Sequence, residues 1–266
     1  MSTLTSYASA AARDSAAPAS SNTGLCIFRS DTKAIEVSDG NNYLSYNNDG
    51  FAATYSSNSY SGSFDGTNDY VDISAASSIV NSVTALSISL WYKQDTAGGV
   101  LIGTGTSNTN GIWLQPYTDG NFYAVLRNGG TNTLTATRPA LNTWVHTVLT
   151  YDAGTIKLYL TPNGGTTDVT TITSGPSTTS STTGNNLSIG RLAWNTGDPF
   201  YLDGNIDEVA LFDYALSSTQ VSSIYNNKEY YNPKAVWRFE NDVTDETGSY
   251  NGTNNGVTFV TSTKPY

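Results

Sequence analysis

The chain has little charge and few of the residues that build most active sites. Only 13% of its 266 residues are Asp, Glu, Lys or Arg, and 12 basic against 22 acidic residues leave a formal charge of −10. No Lys/Arg cluster is present to displace counterions from a phosphate backbone, so no nucleic-acid contact is expected. Cys26 is the one cysteine, which excludes an intrachain disulfide and a cysteine-based metal site. His146 is the one histidine, which excludes His–His metal pairs. No stretch approaches the roughly 18 apolar residues of a membrane span, and no membrane contact is expected. The opening MSTLTSYASAAARDSAAP has neither a basic start nor an unbroken apolar core, so it does not read as a Sec-type signal peptide. A GxSxG elbow and a phosphate-binding Gly-rich loop are both missing.

Gly, Ser, Thr, Asn and Tyr are abundant. That composition suits many short strands and polar turns rather than a helical protein. Residues 1–24, rich in Ala and Ser, read as a flexible arm whose first part could form a marginal helix. Residues 25–60 read as a small β meander (LCIF, IEV, YLSY, with a hairpin signal at Asp39-Gly40) followed by a polar connector. So small a sheet needs its apolar face covered by the main body or by another chain.

Residues 61–227 carry the main pattern. In LSISLWYK, Leu86, Ile88, Leu90 and Tyr92 alternate with Ser87, Ser89, Trp91 and Lys93, as a half-buried strand does. GVLIGTG, IWLQ and NFYAVLR follow at sandwich spacing, with Asp119-Gly120 placed to turn the chain between the last two. Trp91, Trp113 and Trp144 sit in strand patterns and read as core. Ser217 to Gln220 has capping-box spacing, and Val221, Ile224 and Tyr225 then share one side of a short helix.

Four stretches in order, SFDGTNDYVDI, the W-x-H-x-V-x-x-Y-D hairpin at Trp144–Asp152, LSIGR and IDEVALF, together resemble a LamG-type, concanavalin A-like lectin/glucanase domain. The resemblance implies an all-β fold: a two-sheet antiparallel β-sandwich, the concanavalin A-like jelly roll, here with a small N-terminal β appendage. Residues 228–266 are similar to the segment that normally precedes the FDG strand. They are expected to complete the jelly roll, either by folding back within the chain or by serving a neighbouring subunit.

The meander, with Asp31-Thr32, Ile35-Glu36-Val37, Asp39-Gly40 and Tyr43, resembles a segment of phage tail-fibre and other virion proteins, as does the Trp-Arg…Asp…Gly-Thr tail. This second resemblance implies a virion location and a non-enzymatic structural role, as a capsid decoration, fibre or tail-fibre protein. Residues 1–50 would attach to other virion proteins through Phe28, Ile35, Val37 and Tyr43. A homo-oligomer, with a trimer as the expected form, and a displayed domain touching cell-surface glycans would go with it. The alternatives are a secreted or cell-surface lectin domain and, third, a glucanase.

Hydrolysis by a retaining glycosidase needs two carboxyls about 5 Å apart. On a regular strand Asp207 and Glu208 would point to opposite faces, and Asp207 and Asp213 would lie about 20 Å apart, so no catalytic residue is assigned. The resemblance implies a structural calcium ion, with Asp207 and Asp245 as ligands, carbonyls near Tyr250 and Asn251, and Glu208 and Asp65 as weaker candidates. The opposing reading is that Asp245 caps a turn and Asp207 accepts backbone hydrogen bonds. For carbohydrate, Tyr117 with Asp119 and Asn121, Trp194 with Asn195, and Tyr60 offer exposed aromatic platforms beside polar side chains. His146 reads as a buried structural histidine.

Overall fold

The computed structural model describes residues 5–7, 26–29, 34–38, 43–47, 50–54 and 58–264, apart from 75, 131, 182–184, 196 and 198. The chain divides into two compact units, residues 1–58 with 217–232, and residues 59–216 with 233–266. No helix among the described residues is long and apolar enough to cross a membrane.

The first unit is a six-stranded sheet. Its strands are β1 (Thr5–Tyr7), β2 (Cys26–Arg29), β3 (Ala34–Ser38), β4 (Tyr43–Asn47) and β5 (Gly50–Thr54), in spatial order of sequence. Phe28 pairs with Ile35, Cys26 with Val37, and Ser38 with Tyr43, so the four expected attachment residues lie on three adjacent strands. Their side chains, the Asp39-Gly40 turn and most of the expected arm lie outside the described residues. Where a polar connector was expected, β5 pairs along the whole of β4.

The sixth strand of that sheet comes from far along the chain. Helix α2 (Ser218–Asn227) begins with the expected capping box: Ser217 Oγ accepts from Gln220 N at 3.2 Å, and Ser217 N donates to Gln220 Oε1 at 2.9 Å. It buries Val221 and Ile224 and ends at Lys228, whose φ of 55° turns the chain out of the helix. Glu229–Tyr231, strand β18, then pairs with β5. The expectation had set the helix in the jelly roll and 229–231 in its completing tail. Both instead belong to the first unit.

The second unit is the sandwich. One sheet runs β15 (Asp168–Ile172), β14 (Thr155–Pro162), β13 (Trp144–Asp152), β8 (Ala85–Gln94), β17 (Asp203–Phe212), β6 (Tyr60–Asp65) and β21 (Thr258–Thr261), with β19 (Ala235–Trp237) also on β17. The other runs β12 (Thr133–Thr137), β11 (Asn121–Asn128), β10 (Asn110–Pro116), β9 (Ile102–Ser107), β16 (Leu187–Ile189), β7 (Tyr70–Ile73) and β20 (Thr253–Asn255). We call them the eight-stranded and seven-stranded sheets. All their pairings are antiparallel, and a one-turn helix α1 (Ser77–Val80) follows β7.

Strand alternation decides the core. Leu86, Ile88, Leu90 and Tyr92 of β8 face Val145, Leu149 and Tyr151 of β13 and Ile156, Leu158 and Leu160 of β14 in one buried cluster between the sheets. Burying each such side chain contributes about 1.5–3 kcal/mol. The β13–β14 hairpin closes over Ala153 and Gly154, with φ of 41° and 101°, the paired left-handed residues of a turn that follows strand twist. The tail adds β19, β20 and β21 to strands of its own chain, and Trp237 and Phe239 fill the centre of the core.

Candidate functional site

The residues of β8, β13 and β17 that point away from the core cover the outer face of the eight-stranded sheet. Ser89 Oγ and His146 Nε2 are 2.9 Å apart, and the His146 ring packs on Trp91 at 5.3 Å. Burial, and then the Lys264 charge, push the His146 pKa down to about 3, so the ring is neutral at ordinary pH. A serine beside an imidazole is the opening of a nucleophilic pair. Here Ser89 and His146 are 0% and 1% exposed, so the pair is closed to solvent.

Asp207 and Glu208 depart from the alternation that the sequence implied. A β-bulge inserts one residue between Asp207, opposite Trp91, and Ala210, opposite Ser89. Glu208 takes a φ of 51° in that bulge. Both carboxylates consequently meet the same ammonium: Lys264 Nζ lies 3.7 Å from Asp207 and 3.6 Å from Glu208. Arg238 Nε adds a contact to Glu208 at 3.4 Å, and Ser262 Oγ donates to Asp207 at 3.3 Å. The bulge thus overturns the expectation that strand geometry separates the two carboxyls. They are neighbours, 0% and 2% exposed, and matched by Lys264 and Arg238.

Asp245 stands elsewhere, next to Trp237. Its Oδ1 accepts from Val236 N (2.8 Å) and Thr247 N (3.0 Å), and its Oδ2 from Thr247 Oγ1 (2.5 Å), Ser249 N (3.1 Å) and Tyr250 N (3.0 Å). Tyr250 O accepts from Trp237 Nε1, and Asn251 Oδ1 from Asp245 N. Asp65 Oδ1 accepts from the backbone of Thr67 and Asn68. A calcium ion shared by Asp207 and Asp245 does not fit these surroundings: one carboxylate is occupied by five donors, and the other faces an ammonium. A cavity of about 270 Å³ near Asp245 is lined by Arg238, Phe239, Glu240, Asp242, Thr244 and Glu246. Its Glu240 accepts from the backbone of Ser59 and Tyr60, and among the described residues no group of three His, Cys, Asp or Glu is placed to hold a metal.

The outer face of the seven-stranded sheet differs in kind. Ile112 and Leu114 of β10 enter the core, so Trp113 and Gln115 face outward. Trp113 is buried, as expected, but in a second cluster with Val100, Val125 and Leu192, against which Tyr123, Trp194 and Phe200 pack. Trp194 lies 6.2 Å from Trp113, Tyr117 6.0 Å from Tyr123, and Tyr117 6.4 Å from Phe200, ring to ring. Tyr123 Oη donates to Asp119 Oδ2 at 2.6 Å, and Asn121 Nδ2 reaches Tyr123 Oη at 3.4 Å. The Tyr123 hydroxyl, and then the Asn121 N–H, hold the Asp119 carboxyl below its usual range.

Tyr117, Asp119, Asn121 and Trp194 are therefore brought onto one surface, joined by Tyr123, Phe200 and Trp113, which sequence reasoning did not assign to it. The signal for Trp113 and Tyr123 was present as period-two alternation against Ile112, Leu114 and Phe122. Phe200 comes from a loop and had no such signal. Tyr60 begins β6 in the other sheet and does not join the group.

Residues 65–222 match the Laminin_G_3 family, the concanavalin A-like lectin/glucanases superfamily. The chain belongs to that family. No curated protein sequence matches it. Among solved structures it is similar to a candidate carbohydrate-binding protein of Bacteroides ovatus, with 19% identity, a TM-score of 0.59 and coverage of 78% of this chain and 61% of that one. The chain thus spans about three fifths of that protein. It is also similar to a heptameric SAP-like pentraxin of Limulus polyphemus (17% identity, TM-score 0.55, 77% and 96% covered). A third likeness is to the CBM40 module of a Ruminococcus gnavus IT-sialidase (19% identity, TM-score 0.50, 60% and 95% covered). At these identities the likeness is one of fold, and the fold is lectin-like.

Proposed function

We propose that the protein is a non-enzymatic carbohydrate-binding protein whose glycan lies on the outer face of the seven-stranded sheet. The half-exposed Tyr117–Tyr123 pair, bordered by Asp119 and Asn121, carries this reading. Tyrosine rings offer an apolar face to the C–H side of a sugar, while a carboxylate and an amide meet its hydroxyls. The B. ovatus protein and the R. gnavus module support the reading by their names as well as their fold. A glycan array probed with the full chain and with Tyr117→Ala tests it. Binding by the full chain that falls at least about tenfold in the variant is expected. Equal binding by both would move the site elsewhere.

The first unit favours a second level of function. A six-stranded sheet whose last strand, β18, comes from sequence that follows the family-matched segment suits an attachment module. In this reading the chain is a virion structural protein that docks through residues 1–50 as a homo-oligomer and displays the sandwich. Light scattering on the full chain reads it directly: a trimer supports the docking role, and a monomer at micromolar concentration removes it.

A further inference from the structure

Three buried nitrogen donors around Trp113 have no acceptor among the described residues, Gln115 Nε2, Arg127 Nε and Trp194 Nε1; a fourth on the same sheet face, Arg191 Nε, belongs to a guanidinium already paired with Asp72. Native proteins leave few such groups unmade, and each calls for a physical explanation. The three gather around Trp113. Gln115 is 7% exposed, sits two residues along the same outward face, and lies opposite Tyr123. The Arg127 guanidinium lies 5.4 Å from the Trp113 ring centre, and the Trp194 ring 6.2 Å from it.

The charge on Arg127 sharpens the point. Its other nitrogens donate to Asn108 O (2.7 Å), Asn108 Oδ1 (2.9 Å) and Thr133 Oγ1 (3.0 Å), all neutral acceptors. Arg191 on the same face is paired with Asp72 at 2.9 Å, whereas Arg127 meets no carboxylate within 4 Å among the described residues. The groups left over are all donors, and one belongs to a cation. An acceptor bearing negative charge complements them, and a guanidinium is well shaped for a carboxylate or a sulfate.

We infer that the glycan is anionic, with a carboxylate or sulfate seated beside Trp113 and held by Gln115, Arg127 and Trp194. This rests on the carbohydrate-binding reading and adds the charge of the ligand to it. Trp194, half-buried and carried by the turn after Leu192, is the cover: a side-chain rotation uncovers Trp113 and turns the indole N–H toward the anion. The neighbouring Tyr117–Tyr123 pair takes the next sugar.

An array of neutral, uronate-containing, sialylated and sulfated glycans, at low and at physiological salt, tests the inference on the full chain. Binding of one charged class over its neutral counterparts by about tenfold or more, weakening with salt, is expected. Gln115→Met and Arg127→Gln should bring that ratio toward one while the protein stays folded, as judged by its melting transition. Trp194→Phe, which keeps a ring and removes the donor, should lower the ratio several-fold. The carboxylated and sulfated arms separate the two anion types. Equal binding of neutral and charged glycans overturns the inference and leaves the saccharide reading intact. Absence of binding across the array overturns both.

Discussion

The two outer faces of the sandwich share one core but treat their polar groups in opposite ways. On the eight-stranded sheet, Asp207 and Glu208 are matched by Lys264 and Arg238, Ser89 meets His146, and Trp144 Nε1 donates to Thr263. The C-terminal segment 262–264 supplies several of these partners. On the seven-stranded sheet, aromatic rings stay half-exposed, and donors beside Trp113 have no acceptor among the described residues. A face that supplies its own counter-charges has no place for a ligand. A face that leaves donors waiting is the one on which a ligand is proposed. Burial alone does not make this distinction, since Trp91 and Trp113 are both 5% exposed.

The sharpest way to break the comparison is Lys264→Met. Removing the ammonium leaves two buried carboxylates with less compensation, and a loss of about 3–5 kcal/mol in urea unfolding is expected. Tyr117→Ala on the other face should cost far less stability while lowering glycan binding at least about tenfold. Comparable losses from the two would mean that the faces are not divided into structural and binding roles.

His146→Gln tests the closed face through pH. The folded-state pKa of about 3 lies below the ordinary 6.5. Above pH 6.5 neither state holds the proton. Below it the unfolded chain binds a proton that the buried ring refuses, so stability falls as pH falls, down to about pH 3. Between pH 6.5 and 5 this should cost the native protein roughly 1.5 kcal/mol, a decline missing from His146→Gln. Parallel pH–stability curves would show that His146 is not held neutral by burial.

Much of this contrast was legible in the sequence, and the illegible parts have physical reasons. Alternation in LSISLWYK and in the Trp144–Asp152 hairpin assigns both faces of the central strands, and four platform residues fall on the surface now proposed. Alternation fails at Glu208, because a bulge has no periodic signature. It was also set aside at Trp113, whose size suggests core although its neighbours Ile112 and Leu114 already fill the inward positions. Strand β5, GFAAT, has one Gly and two Ala against a single β-branched residue, Thr54, and reads as connector. The partition of α2 and β18 depends on a pairing between residues 52–54 and 229–231, far apart in the chain, which no local pattern encodes. Lys264 gives no signal at all until the chain end is placed beside the bulge.

Calcium should produce the smallest effect, and it tests the same division. Asp245 is already occupied by five hydrogen-bond donors, and Asp207 by an ammonium and a hydroxyl. An ion could enter at Asp207 only by displacing Lys264, exchanging one positive partner for another and undoing the segment that carries it. Adding about 2 mM calcium, or a chelator, should therefore move the melting temperature by less than about 1 °C, because a ligand stabilises a fold only in proportion to its own binding. A rise of several degrees, lost in Asp207→Asn but kept in Tyr117→Ala, would place a cation on the face described as closed. Lys264 would then be a replaceable occupant of that site, and the closed face would be a second binding surface.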